Sequence, residues 1–158
     1  DMFQLVDDQK DVKIVYLAKG ISAHDLVDAA WVSKKYEIPG DRYSLFAMFR
    51  GDPSDGLPGV KGIGEKGAAL ICNHFANVDE VIQGALDSHE ALSASLIKKI
   101  LESEDYAKIA PTLVHCALDV PLPKLETFIG LLPLLERSAI GSCLRFAATA
   151  DALCFFVN

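Results

Sequence analysis

The stretch GDPSDGLPGVKGIGEKGAAL, residues 51–70, gathers two kinds of residue that do chemistry. Asp52 and Asp55 stand three apart, a spacing that sets both carboxylates on one side of a turn or helix start. Two anions held that close repel each other unless a cation lies between them. Hard oxygen donors of this kind suit magnesium (Mg2+) or manganese (Mn2+). The same residues also make an ordinary helix start, with Asp52 as N-cap, Pro53 at the first position and Asp55 in the first turn. Next come Gly59, Gly62, Gly64 and Gly67, interleaved with Lys61 and Lys66. Bare backbone permits positive φ and lets a phosphate approach without a Cβ in the way. A helix beginning near Gly64 or Glu65 offers free amides and the positive end of its dipole to that phosphate, with the two lysines as mobile charge beside them.

Two familiar phosphate cradles fail here. GIGEKG, residues 62–67, fits G-x-G-x-x-G, but the dinucleotide fold needs a buried strand running into the first glycine. The preceding GDPSDGLPGVK, with two prolines and several charges, cannot be a central strand. Gly59 to Lys66 nearly reads as a P-loop, yet Glu65 separates Gly64 from Lys66, and Gly67 stands where a hydroxyl should hold magnesium. The arrangement that remains is a helix-hairpin-helix spanning 52–75: a helix over 41–50, a tight turn at PGVKGIG, and a second helix behind it. Such a hairpin meets the sugar-phosphate of DNA rather than base edges, so it implies grip without sequence readout. A plain turn between packed helices also accounts for GVKGIG. Val60 and Ile63 belong to the core in either case.

The elements that would position these residues are mostly helical. VKIVYLA, residues 12–18, is β-branched and aromatic and predicts a strand whose partners are expected upstream of Asp1. From Ser22 the pattern predicts a capped helix carrying Leu26, Val27, Ala30 and Trp31 and ending at Ile38–Gly40. Leu45, Phe46, Met48 and Phe49 mark the helix over 41–50. After the glycines come AALICNHF and NVDEVIQGAL, where Asn77 with Glu80 makes a capping pair. LSASLIKKILESEDY, a segment through LVHCAL, and KLETFIGLLPLLER behind the breaker VPLP continue the helical pattern. The aromatic pair in the tail RFAATADALCFFVN could dock on the helices. Lys34 with Lys35, and Lys98 with Lys99, read as wet helix faces.

The chain has 158 residues, 51% of them hydrophobic, enough for one core. No apolar run suits a membrane span and no signal peptide is apparent, which reads as a cytoplasmic protein without a membrane partner. Cys72, Cys116, Cys143 and Cys154 are far apart in apolar surroundings and read as buried thiols. The four histidines lack ligand spacing. A net charge of −7 and a pI near 5.0 exclude a broad nucleic-acid surface, so contact with DNA must be local.

DMFQLV followed by GDPSDGLPGVKGIGEKGAAL resembles the structure-specific 5′ nuclease family: the bacterial 5′-3′ exonucleases, flap endonucleases and the 5′-nuclease domain of DNA polymerase I. The resemblance implies a mainly α, helix-three-turn-helix (helix-hairpin-helix, SAM-like) C-terminal domain over residues 21–158, preceded over 1–20 by a strand remnant of a PIN-like α/β nuclease domain whose N-terminal part is missing. It implies hydrolysis of phosphodiesters at 5′ ends and flaps of duplex DNA with divalent metals. In the family, acids in the places of Asp1, Asp52 and Asp55 belong to a carboxylate cluster around two metals. The hairpin matching Gly59, Lys61, Gly62, Gly64, Lys66 and Gly67 grips DNA, often with a monovalent cation (K+) on its backbone carbonyls. The family commonly has Asn at 56 and Thr at 67, where this chain has glycine. Three carboxylates are too few for two metal centres, so the alternative expectation is a non-catalytic DNA-binding module.

Overall fold

The computed structural model describes residues 2–17, 23–117, 119 and 121, and the backbone of 154–157. Three strands and six helices share them. β1 (Lys13–Tyr16) pairs antiparallel with β2 (Asp25–Val27) and parallel with β3 (Cys154–Val157), giving the order β2-β1-β3. Among the described residues, the strand expected at 12–18 therefore has its partners downstream, in β2 and in the tail.

β2 also corrects the helix expected from Ser22. Leu26 and Val27 pair with Val15 and Ile14, and the helix α1 begins only at Ala29, running to Tyr36. Its N-cap is Asp28, whose carboxylate accepts the Trp31 amide at 2.8 Å. Val27 is fully buried and Leu26 half exposed, the alternation of a strand. Three residues are too short for that period to stand out against a helical one. Ser22 itself lies outside the described residues.

α2 (Tyr43–Arg50) is the central helix. Tyr43 and Leu45 through Phe49 are all buried, because α2 is packed by α3 (Glu65–His74) on one side and α6 (Glu104–Val114) on another. α4 (Val78–Leu86) starts at the expected cap: Asn77 Oδ1 accepts the Glu80 amide at 2.9 Å, while the Glu80 carboxylate reaches back to the Ala76 amide at 2.7 Å. α5 (Ala94–Glu102) is separated from α6 at Ser103, so LSASLIKKILESEDY forms two helices rather than one. KLETFIGLLPLLER lies outside the described residues.

One core joins all of this. Phe3 packs edge-on against Tyr16, Trp31 and Tyr43, with ring centres 5.2–5.3 Å apart, tying the first turn to β1, α1 and α2. Gln4 fastens the same turn to the end of α6, donating to Val114 O at 2.9 Å and accepting from the Cys116 amide at 3.2 Å. Phe46 and Phe49 are core, as their helical spacing implied. The Cys72 thiol is buried and its pKa is pushed up to about 12 by desolvation, which removes it from nucleophilic chemistry. Among the described residues, no helix is long and apolar enough to cross a membrane.

Candidate nucleic-acid interface

The hairpin is built on the end of α2. Gly51, at φ +81°, ends the helix, and Asp52 and Leu57 then form an antiparallel bridge, each amide donating to the other's carbonyl at 2.9 Å. This bridge closes a single 3₁₀ turn over Pro53–Asp55, capped in front by Asp52 and behind by Gly56 at φ +70°. Asp52 Oδ1 accepts the Ser54 amide at 3.0 Å and the Ser54 hydroxyl at 2.6 Å. Its Oδ2 lies 3.5 Å from the Arg50 guanidinium. The hydrogen bonds from Ser54, aided by the Arg50 charge, hold the Asp52 carboxyl below its ordinary pKa, so it is an anion at neutral pH. Asp55 is exposed on the same turn, and its amide donates to Asp52 O at 3.2 Å.

The four glycines of the bend have separate reasons to be glycine. Gly59 has φ +67°, and a Cβ there would lie 2.6 Å from Gly51 N and 2.7 Å from the Arg50 carbonyl. Its bareness serves a backbone-to-backbone contact inside the protein. Its amide donates to the Tyr106 hydroxyl at 3.2 Å, and the next amide, of Val60, donates to Phe49 O at 3.0 Å. Tyr106, on α6, in turn donates to Met48 O at 2.8 Å, so one phenol fixes the end of α2 and the entry to the hairpin together. Burial raises its pKa and keeps that proton in place. Val60 and Ile63 are core plugs, as expected, 3% and 5% exposed.

Beyond Val60 the surface opens. Lys61, Gly62, Gly64 and Lys66 are exposed. Gly62 has φ +80°, and a Cβ on Gly64 would meet nothing within 4 Å. Gly64 is the N-cap of α3 and supplies no side-chain acceptor, so it leaves the first amides of that helix uncapped. Gly67, one turn in, is half-buried; a Cβ there would approach Ile63 Cγ2 at 3.1 Å.

Two residues near the bend escape the sequence. Arg50 stacks on Phe46 and lies 3.5 Å from Asp52 and 3.9 Å from Glu65, spanning the acid turn and the start of α3. Lys99 of α5 donates from Nζ to Gly62 O at 2.9 Å. Lys98 and Lys99, paired as one wet face in the sequence, part company: Lys98 is exposed 3.7 Å from Glu102, and Lys99 lies across the hairpin. The nearest sequence signal for Arg50 is its place in the last turn of a helix leading into two acids.

Among the described residues, no group of three or more His, Cys, Asp or Glu side chains is placed to hold a metal ion. Asp52 already spends one oxygen on Ser54 and has a guanidinium beside the other, and Asp1 lies outside the described residues. The donors on hand do not by themselves fit a divalent metal centre. Gly62 O, one of the hairpin's backbone carbonyls, accepts the Lys99 ammonium.

Comparison with known proteins agrees with this architecture. Residues 38–130 match the family described as 5′-3′ exonuclease, C-terminal SAM fold. A 5′-3′ exonuclease of Streptomyces coelicolor is 44% identical over 128 residues, 80% of this chain and 42% of that protein. A 5′-3′ exonuclease of Mycobacterium tuberculosis is 37% identical over 127 residues, 77% of this chain and 40% of that protein. The flap endonuclease Xni of Pseudoalteromonas translucida is 33% identical over 96 residues, 61% of this chain and 35% of its own. This chain belongs to the 5′-3′ exonuclease and flap endonuclease family, and its helical body is the SAM-like C-terminal domain of that family. It spans about two fifths of the length of the two exonucleases.

Proposed function

We propose that this chain is the duplex-gripping part of a cytoplasmic 5′-3′ exonuclease or flap endonuclease. The hairpin of Gly59, Lys61, Gly62, Gly64, Lys66 and Gly67 holds the sugar-phosphate backbone of DNA near a 5′ end or flap. The observation that carries this reading is the start of α3, where a glycine N-cap without a capping side chain has open space at its Cα, in a bend that also carries the exposed Lys61 and Lys66. One phosphate seated there meets amides, the helix dipole and two ammonium groups, while the chain's net charge of −7 repels DNA elsewhere. The test is a titration of nicked and 5′-flapped duplex by fluorescence anisotropy across salt. Affinity should fall with salt, and Lys61→Ala and Lys66→Ala should each lower the slope of log affinity against log salt by about 1. Equal affinity and slope in both variants would remove the hairpin from the interface.

Asp52 and Asp55 form one edge of a divalent cation site, completed with Asp1 and with acids of the nuclease domain that the family's longer members contain. With Ser54 and Arg50 occupying Asp52, the acid turn as it stands favours a second reading for the isolated chain: binding without cutting. Incubating the chain with a flapped duplex and magnesium should then give no product. Turnover that disappears on Asp52→Ala would defeat that expectation and make this chain a nuclease in its own right.

A further inference from the structure

We propose that Lys99 is the resident cation of the hairpin: its ammonium, held on Gly62 O, does for this bend what a bound monovalent ion would otherwise do, and it sets the bend for a phosphate. The inference rests on the reading of the hairpin as the phosphate grip.

α5 meets the hairpin through two side chains one turn apart. Leu96 Cδ2 would lie 3.6 Å from a Cβ on Gly67, and Lys99 Cε and Nζ would lie 3.1 and 3.3 Å from a Cβ on Gly62. Lysine stem and missing Cβ are therefore complementary, and Gly62 is bare partly to let that stem cross it. The contact spans 37 positions of sequence, with Nζ to Gly62 O at 2.9 Å. Lys99 has no acidic partner among the described residues, unlike Lys98 with Glu102, Lys108 with Glu104 and Lys10 with Asp7. Its charge is thus carried onto the exposed Gly62 without a carboxylate to neutralise it.

Physical chemistry gives this placement a purpose. A carbonyl oxygen directed at an incoming phosphate repels it, and a glycine at φ +80° has a permissive backbone that a bond to its carbonyl helps to fix. An ammonium has three N–H donors; one fixes Gly62 O and two remain for a phosphate oxygen. Its charge, tethered to the protein, arrives without the entropy cost of recruiting an ion from solution. Lys99 is accordingly a positioning residue for the bend and a fixed charge at its edge.

The experiment compares wild type, Lys99→Met, which keeps the stem and removes donor and charge, and Lys99→Arg, with Lys61→Ala and Lys66→Ala alongside. Each is titrated with nicked duplex in potassium chloride and in tetramethylammonium chloride at equal ionic strength. Lys99→Met should weaken binding about fivefold to tenfold in tetramethylammonium. Potassium should recover part of that loss, while Lys99→Arg stays within about twofold of wild type and wild type is indifferent to the salt used. Amide exchange at Gly62 and Ile63, measured without DNA, should quicken in Lys99→Met alone. Wild-type affinity in Lys99→Met, with Lys61→Ala and Lys66→Ala still impaired, would overturn the role of Lys99 and leave the hairpin reading standing. Lys99→Arg as poor as Lys99→Met, or a wild type as dependent on potassium as Lys99→Met, would also overturn it. No effect from any of the lysines would bring down the hairpin reading and this inference together.

Discussion

Gly59 and Gly64 look alike in sequence, five positions apart in one bend, and the structure gives them opposite duties. Gly59→Ala would drive a Cβ into the Arg50 and Gly51 backbone at positive φ. Unfolding free energy from urea titration should fall by about 2–4 kcal/mol. Gly64→Ala has open space and an ordinary φ of −103°, so its stability should stay within about 0.5 kcal/mol of wild type. Its methyl would stand where a phosphate approaches, and duplex affinity should drop by about threefold or more. Loss of stability with intact binding at Gly64 would reverse that assignment. Asp52 gives a pH-dependent readout. Its folded pKa is depressed, chiefly by Ser54, so its contribution to stability is complete above its ordinary value of 3.8 and disappears as pH falls through the lower folded value. The stability difference between wild type and Asp52→Asn should accordingly shrink from about pH 5 to about pH 2. A difference independent of pH would show that the Asp52 charge is not what the turn uses.

At the scale of elements, the hairpin depends on helices far from it in sequence. Tyr106 of α6 clamps Met48 O and the Gly59 amide at once. Tyr106→Phe removes the clamp and strands a part-buried amide and carbonyl, which should cost about 1–2 kcal/mol by chemical denaturation. A neutral substitution would mean that water replaces the hydroxyl without loss. The sequence made α2, α3 and the Asn77 cap legible, because each has a local signature: an apolar block, a glycine before a helix, and an Asn with Glu three on. It misplaced β2 because Leu26 and Val27 fit a helical period with Ala30 and Trp31 as well as they fit alternation. What decided was pairing with β1, a contact that no local window contains.

Over the whole molecule, charge and shape divide the work. An acidic chain can hold a polyanion only where amides and lysines are concentrated, and the start of α3 is such a place. The salt slope of duplex binding should therefore be small, about 3–4, matching Lys61, Lys66, Lys99 and the amide site rather than an extended track. A much steeper slope would point to a broader surface. What the residues settled unaided was the local chemistry of 51–70: which glycines can bend, where a helix can begin, and that two acids precede it, since these follow from backbone sterics and neighbouring side chains. Only tertiary packing decided that Gly59 faces inward while Gly64 faces out, and that Lys99 and Tyr106 brace the bend. Those outcomes depend on contacts across tens of residues, whose geometry is set by the shared core rather than by any segment's own preferences.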